Sequence, residues 1–306
     1  MQRDAVDDLP PDVVPIERPV AAGAVRTVLG ALPEFSSDVY HALDVDLPLY
    51  TRALTVATVH DTSVIDMPSA SSWYRAKGEQ RVVRYWLRKA DVLLAVSEFT
   101  AERVEAVSGR RAVVTELAPA SWARPPSAAA VAAVRAKYRL PEAFVLQVGT
   151  VEPRKDVALV AAASAELGLP CLLAGAGSTG PDKPSSAVGL GYVDLGDLPG
   201  LYAAATITAY ASKYEGYGLP PVEAMACGGA VIASRVGALP QVVGDGAVLV
   251  GRHHVDAWAA AMRDVAADPD RRAALVDAAL AVARKLTWTR TAEATVRAYR
   301  AAGVAV

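Results

Sequence analysis

Residues 144–175 read FVLQVGTVEPRKDVALVAAASAELGLPCLLAG and predict a strand, a helix and a second strand in direct succession. The predicted strands, 144–149 and 171–175, are short apolar runs, and the predicted helix between them, 156–168, is rich in alanine. Apolar strands joined by a crossover helix are typical of a parallel sheet that is covered on both faces. Glycine stands where each strand gives way to a loop, as expected at the carboxyl edge of such a sheet. This stretch therefore predicts an α/β fold.

The same alternation extends over most of the chain. Further strands are predicted at 53–60, 92–96, 112–117, 206–211, 230–234 and 247–250. Further helices are predicted at 73–90, 99–108, 127–138, 198–205, 221–227, 255–267, 270–285 and 288–302. The composition changes at APASWARPPSAAA (118–130), which is rich in proline and alanine and indicates a linker. We therefore expect an N-terminal domain over 1–122, a second domain over 123–286 and a separate final segment, 287–306.

Bulk properties exclude several classes of protein. The formal net charge is −2 over 306 residues, which provides no basic footprint for nucleic acid. No apolar run approaches the roughly 18 residues that a membrane-spanning helix needs. The acidic start, MQRDAVDDLPPDVV, lacks the layout of a signal peptide, and Cys171 and Cys227 show no metal or redox spacing. A cytoplasmic protein with buried structural thiols is expected.

The stretch YEGYGLPPVEAMACGG (214–229) combines a glycine loop, a proline pair and two glutamates. Gly216 and Gly218 are expected to adopt positive φ and to let the backbone approach a ligand closely. A helix that begins near Pro221 would direct its N–H groups and its positive dipole end at the loop, which favours an anion such as phosphate.

Glu223, in the predicted first turn of that helix, and Glu215, before the glycines, would then face sugar hydroxyls. Together these features predict a nucleotide-sugar site. The alternative is that Glu223 merely offsets the helix dipole and that Glu215 is a solvated loop residue.

Two further pairs of residues follow predicted strands. Arg154 and Lys155 are suited to a diphosphate, although a solvated basic pair beside Asp156 is the simpler alternative. His60 and Asp61 end a strand of the first domain and should face the cleft between the domains, unless the histidine is only structural.

These motifs resemble the retaining glycosyltransferases of GT-B family 4, especially its mannosyltransferases. Glu215 and Glu223 match the family's E-x7-E signature, and FVLQVGTVEPRKD (144–156) matches the first strand and loop of its donor domain. VHDTSVIDMP (59–68) and ADVLLAVSEFTAERV (90–104) match landmarks of its acceptor domain. The resemblance implies two Rossmann-like domains facing across a cleft, the N-terminal one shortened, and a final helix that crosses back to the first domain.

The resemblance also implies roles for individual residues. Glu215, His60, Arg154 and Lys155 are the expected catalytic residues: Arg154 and Lys155 would bind the diphosphate, and Glu215 and His60 would contact the donor sugar. Glu223 would bind the ribose, and Asp61 would lie on the acceptor side. Other donor contacts are expected from Gly216, Tyr217, Gly218, Leu219, Gly149, Gly175, Tyr192 and Val193.

The implied reaction moves a hexose, such as mannose or glucose, from a GDP- or UDP-sugar to a glycan, a lipid-linked sugar or a small molecule. No cofactor or metal is expected, because Arg154 and Lys155 would stabilise the leaving group instead. Same-face substitution, in which the departing phosphate assists deprotonation of the acceptor, would retain the anomeric configuration. Peripheral contact with the inner face of the membrane would suit a lipid-linked acceptor.

Two alternatives to this enzyme belong to other classes. A non-catalytic nucleotide-sugar binder or partner subunit is the first, because the N-terminal domain is expected to be short. A nucleotide-dependent oxidoreductase is the second, and it is disfavoured because no G-x-G-x-x-G follows the first strand of either half.

Overall fold

The structure, a computed structural model, describes residues 37–45, 47, 48, 50–67 and 73–305. The proline-rich opening of the chain, for which little periodicity was predicted, lies outside these residues. Two parallel sheets with helices on their faces confirm the predicted α/β class.

The first sheet has four parallel strands in the order β1-β2-β3-β4. Its strands are β1 (Val39–Ala42), β2 (Leu54–Val59), β3 (Val92–Ala95) and β4 (Val113–Val114). The connecting helices are α1 (Ser63–Asp66), α2 (Trp73–Lys89) and α3 (Glu98–Ser108). One core forms where Trp86 and Leu87 of α2 and Val104 of α3 pack against Val59 and Leu93 of the sheet. This packing leaves the carboxyl end of β2, and the residues after it, at the edge of the sheet.

The second sheet has six parallel strands in the order β10-β9-β8-β5-β6-β7. Its strands are β5 (Val145–Val148), β6 (Cys171–Ala174), β7 (Ala187–Gly191), β8 (Ile207–Tyr210), β9 (Val231–Ser234) and β10 (Ala247–Val250). The strand β5 pairs with β6 on one side and with β8 on the other. The direction of winding therefore reverses between β5 and β8, and ligands of open α/β sheets bind at such a switch point.

Helices cover both faces of the second sheet. They are α4 (Ala128–Lys137), α5 (Val157–Glu166), α6 (Leu198–Ala204), α7 (Leu219–Ala226), α8 (Leu239–Val243), α9 (Val255–Ala267) and α10 (Pro269–Ala283). One core contains Phe144, Tyr202 and Met225, and the other contains Val160 and Trp258. Because helices cover both faces of this sheet, the side chains on both sides of its inner strands are buried, which explains why the sequences of these strands are almost continuously apolar. The free thiols of Cys171 and Cys227 are buried, as predicted.

The last helix, α11 (Trp288–Ala301), packs on the first sheet rather than the second. Ala298 is buried against Val56 and Leu94, and the Tyr299 hydroxyl is hydrogen-bonded to Nδ1 of His41 at 2.6 Å. Trp288, which is 49% exposed, donates from Nε1 to the Pro119 carbonyl at 3.1 Å. The chain thus returns to its first domain after it completes the second.

Three strand predictions differ from the structure. The strands β1 and β7 were not predicted, and the strand predicted at 112–117 is confined to Val113–Val114. The sequence of β7, AVGLG, has glycines that lower strand propensity. Gly189 is needed there because a Cβ atom would lie 1.9 Å from the Ser178 carbonyl oxygen. Within the described part of the chain, no helix has the length and apolar character needed to cross a membrane.

Candidate active site at the switch point

Two loops meet where the winding of the second sheet reverses. The loop after β5 contains Arg154 and Lys155 in a short 3-10 turn, Pro153–Lys155. The loop after β8, residues 211–218, contains Glu215 and is called the glycine loop below. Because β5 and β8 are neighbouring parallel strands, their carboxyl ends bring the two basic side chains to the glutamate.

Glu215 is bound by both cations and is only 8% exposed. Its Oε1 accepts hydrogen bonds from Lys155 Nζ at 3.2 Å and from Ser212 Oγ at 2.8 Å. Its Oε2 lies 3.4 Å from a guanidinium nitrogen of Arg154. Lys155 is equally buried, so the site holds charges that need partners inside the protein.

Arg154 is fixed by two further contacts. One guanidinium nitrogen donates to the Tyr214 carbonyl at 2.9 Å, and the other donates to Glu152 at 2.9 Å. Burial opposes the charged form of Arg154, but the carboxylates of Glu215, Glu152 and Asp61 raise its pKa overall. The guanidinium therefore carries a permanent positive charge at the edge of the cleft.

The predicted glycines have different roles in the structure. Gly216 does not adopt positive φ, and its lack of a side chain serves a close approach: a Cβ atom would lie 2.0 Å from the His60 carbonyl oxygen. Gly218 has φ of 99°, as predicted, and a Cβ atom there would lie 2.5 Å from Leu239. The close approach of Gly216 is to the other domain, not to a ligand.

The helix after the glycines begins earlier than predicted. It starts at Leu219 rather than near Pro221, so Pro220 and Pro221 both lie in its first turn, where they contribute no N–H group. The predicted donation by the helix N-terminus is therefore reduced to the N–H of Leu219. No acceptor among the described residues faces the backbone N–H groups of residues 216–219. These N–H groups are free to bind an anion.

Glu223 lies one turn inside that helix, not in its first turn as predicted. Burial raises its pKa to about 7. No side-chain hydrogen bond or ion pair to it is found in the described part of the chain. The carboxyl group is half-buried and can therefore accept hydrogen bonds from a ligand, which sugar hydroxyls could supply.

His60 and Asp61 follow β2 and face the glycine loop across the cleft. The exposed His60 ring donates from Nε2 to the Leu43 carbonyl at 2.9 Å. Asp61 accepts from the N–H and hydroxyl of Ser63, at 2.8 and 2.6 Å, which closes the turn before α1. Asp61 is close enough to Arg154 to affect its pKa. The structure therefore places Asp61 near Arg154, whereas His60 meets the glycine loop through its backbone carbonyl.

The remaining predicted donor contacts fall into two groups. Gly149 and Gly175 have positive φ and lie against each other, since a Cβ atom on Gly175 would be 2.6 Å from the Gly149 carbonyl oxygen. The side chains of Tyr217 and Val193 are buried in hydrophobic clusters, which leaves their backbone groups for a ligand. Tyr192 is 79% exposed.

The sequence interpretation missed a network that joins the domains around the site. The Tyr214 hydroxyl is hydrogen-bonded to Thr62 Oγ1 and to Asp66, both at 2.8 Å. Asp66 is in turn paired with Arg103. The N-cap pattern at the start of α3, Ser97 followed by Thr100, is a signal in the sequence that could have indicated polar side chains at this edge. Within the described ranges, no cluster of three or more His, Cys, Asp or Glu side chains could hold a metal.

Comparison with known proteins identifies relatives for almost the whole chain. Residues 132–281 match the family model of glycosyl transferases group 1. The O-antigen chain mannosyltransferase B of Escherichia coli is 32% identical over 290 residues, which cover 88% of this chain and 76% of that protein. A D-inositol 3-phosphate glycosyltransferase of Actinosynnema mirum is 31% identical, over 83% of this chain and 66% of that protein. The chain thus spans just under two thirds of the length of this second relative.

A solved structure supports the fold at the level of both domains. The sucrose-phosphate synthase of Thermosynechococcus elongatus superposes with a TM-score of 0.70 and 26% sequence identity. The match covers 81% of this chain and 67% of that chain. It confirms the predicted pair of Rossmann-like domains.

Proposed function

The chain belongs to the glycosyl transferases group 1 family, and from that premise we propose that it is a retaining family 4 hexosyltransferase. Its membership makes it a glycosyl-transferring enzyme. The donor is a nucleotide-diphosphate sugar, and the acceptor is a hydroxyl of a glycan, a lipid-linked sugar or a small molecule. No metal or cofactor takes part.

The observation that carries this proposal is the convergence of Arg154 and Lys155 on Glu215 at the switch point. Two fixed cations next to the free N–H groups of residues 216–219 match the charge of a diphosphate. Glu223 lies in the same domain, and its half-buried carboxyl group is suited to the ribose. His60 and Asp61 would meet the donor sugar from the opposite domain.

In the proposed reaction, the bond between the anomeric carbon and the diphosphate oxygen breaks as the acceptor oxygen approaches the same face. The acceptor proton passes to an oxygen of the departing diphosphate, so no external base is consumed. Arg154 and Lys155 stabilise the negative charge that develops on the leaving group. Glu215, held by hydrogen bonds from Lys155 and Ser212 and by the nearby Arg154 guanidinium, orients the sugar instead of attacking it, which supports same-face substitution over a covalent intermediate.

The named relatives include a mannosyltransferase, an inositol phosphate glycosyltransferase and a sucrose-phosphate synthase, so their names differ in sugar and acceptor. A GDP- or UDP-hexose fits the diphosphate and ribose contacts proposed here. Mannose is the first sugar to test, because the mannosyltransferase aligns over the largest share of this chain among these three.

We further propose a cytoplasmic location at the inner face of the membrane. The sequence interpretation found no basic patch, but the structure has one on α2, where Arg81, Arg84 and Arg88 share a face with the exposed Tyr85. No carboxylate in the described ranges pairs with these arginines. A charged face with an aromatic residue suits anionic lipid headgroups. Co-sedimentation with phosphatidylglycerol but not phosphatidylcholine vesicles, lost in Arg81→Glu/Arg84→Glu, is the expected result.

The test begins with nucleotide binding. Thermal unfolding is measured with UDP, GDP and ADP for the wild type, for Glu223→Ala and for Glu166→Ala, which changes an exposed glutamate on α5. A shift from one nucleotide, lost only in Glu223→Ala, is expected and identifies the base. No shift from any nucleotide would contradict the proposed donor site.

The second step measures transfer. The matching nucleotide-sugar is incubated with glycan, lipid-linked and small-molecule acceptors, and release of the nucleoside diphosphate is followed together with the anomeric proton signal of the product. Acceptor-dependent release with retained configuration is expected. Binding without release from any acceptor would favour the non-catalytic alternative, and a trapped adduct on Glu215 or Asp61 would contradict the same-face mechanism.

A further inference from the structure

One carbonyl group of the glycine loop is held entirely by the other domain. The Gly216 carbonyl oxygen accepts a hydrogen bond from Ser97 Oγ at 2.6 Å and another from Thr100 Oγ1 at 3.0 Å. Ser97 and Thr100 are fully buried, and both belong to the start of α3 in the first domain. The two bonds therefore fix the orientation of a peptide group across the cleft.

Fixing this carbonyl also fixes an N–H group. A trans peptide is planar, and its C=O and N–H point in opposite directions. The Gly216 carbonyl and the Tyr217 N–H belong to one such unit, and no cis peptide is present among the described residues. The Tyr217 N–H must therefore point away from Ser97 and Thr100, and it has no acceptor in the described structure.

The preceding peptide unit is set by the second domain itself. The Glu215 carbonyl accepts from the Ala238 N–H at 2.9 Å, so the Gly216 N–H is oriented from within that domain. Two successive N–H groups of the proposed phosphate site thus depend on different domains. The first is set by Ala238, and the second is set only when α3 is in contact with the loop.

We propose that Ser97 and Thr100 are positioning residues for the donor diphosphate. They orient the Tyr217 N–H from the opposite domain, so that strong donor binding requires contact between the domains. The proposal rests on the proposed function, because it assumes that the anion bound at this loop is the donor diphosphate. It predicts that loss of a hydroxyl that never touches the donor weakens donor binding.

The burial of the Gly216 carbonyl offers a simpler explanation, since any buried carbonyl needs a partner. A single hydroxyl would meet that need, whereas two converge here. Ser97 has an additional role, because its Oγ accepts from the Thr100 N–H as the N-cap of α3. Thr100 is therefore the cleaner position to change.

The test compares Thr100→Val, which keeps the side-chain shape but removes the hydroxyl, with Thr100→Ser, which keeps the hydroxyl. Calorimetric titration with UDP and with GDP should show affinity lowered about tenfold in Thr100→Val and restored to within about twofold in Thr100→Ser. Affinity in Thr100→Val equal to that of the wild type would overturn the proposal.

A second measurement does not depend on any ligand. Backbone ¹⁵N relaxation should show a lower order parameter for the Tyr217 N–H in Thr100→Val than in the wild type or Thr100→Ser, with no change in the distant helix α9. Equal order parameters for the Tyr217 N–H would overturn the positioning role even if no nucleotide binds. Failure of the wild type to bind either nucleotide would instead contradict the proposed function.

Discussion

Gly216 lies so close to His60 that a Cβ atom on the glycine would be 2.0 Å from the His60 carbonyl oxygen. The same Cβ atom would be 2.6 Å from Cβ of Asp61. The contact joins the glycine loop of one domain to the end of β2 in the other. Because the nearest atom is the backbone carbonyl oxygen of His60, no rotation of a side chain could relieve the clash that an added methyl group would cause.

Gly216→Ala is therefore expected to separate the domains. The destabilisation should be about 2 to 4 kcal/mol, as for other substitutions that overfill a packed contact. The radius of gyration in small-angle X-ray scattering should increase, and nucleotide binding should weaken. Gly196→Ala is the matched control, since a Cβ atom there would meet nothing within 4 Å. A radius of gyration of Gly216→Ala equal to that of the wild type would show that the contact is not rigid.

Glu223→Gln should stabilise the protein above neutral pH. Burial raises the pKa of Glu223 from 4.5 to about 7, so between these values the folded protein keeps a proton that the unfolded chain has lost. The free energy of unfolding should therefore fall as the pH rises through this window, by about 3 kcal/mol at most. Glutamine does not ionise, so the variant avoids this fall in stability with pH. The variant also lacks the carboxylate proposed to accept hydrogen bonds from the ribose.

Thermal unfolding across this pH range provides the measurement for Glu223. The variant and the wild type should have similar stability below pH 4.5, and the variant should be more stable above pH 7. Nucleotide affinity should nevertheless be about tenfold lower in the variant. A stability difference that does not change with pH would show that Glu223 is charged in the folded protein.

Glu215→Gln should have the opposite effect on stability. The buried Lys155 and the half-buried Arg154 would lose their shared counter-charge, at a cost of about 2 to 4 kcal/mol. Glu152→Gln is the matched control, because among the described residues Glu152 pairs only with Arg154, at the more exposed rim, where the cost should be below about 1 kcal/mol. Chemical denaturation gives the free energy of unfolding of both variants. An equal loss in the two variants would mean that the ion pairs of Glu215 stabilise the protein no more than surface pairs do.

His60→Ala should affect transfer more than stability. The His60 ring is exposed and, within the described part of the chain, makes a single hydrogen bond, to Leu43, so its removal should cost less than about 1 kcal/mol. If the ring contacts the donor sugar, the transfer rate should fall about tenfold or more with the unfolding midpoint almost unchanged. His254→Ala, at an exposed position of the second domain, serves as the control. An unchanged rate would assign His60 a purely structural role.

Apolar periodicity predicted most of the sheet. The strand predicted at 171–175 is found at Cys171–Ala174, and the strand predicted at 247–250 is found there. The strand Cys171–Ala174 is fully buried between helices, so its continuous apolar run is hard to accommodate in any other structure. The edge strands β1 and β7 were missed because VYHA and AVGLG have no continuous apolar run.

The site was predicted as a set of residues but not as a set of contacts. Glu215, Arg154 and Lys155 were assigned to one place, and their ion pairs were not foreseen. The prediction for Gly216 was wrong in its partner. A close approach to a ligand was expected, and the structure shows a close approach to the backbone of the other domain. Contacts between distant segments, such as Ser97 with Gly216, depend on how the domains meet, and periodicity contains no information about that.

The position of α11 has a consequence for folding during synthesis. One face of the first sheet is covered by α11, through Ala298 and Tyr299 against Val56 and Leu94. Those residues are translated only after the whole second domain. The first domain therefore has an apolar face uncovered during synthesis, and it completes its core only after α11 has been translated. A protein of this design should depend on chaperones for its earlier half more than for its later half.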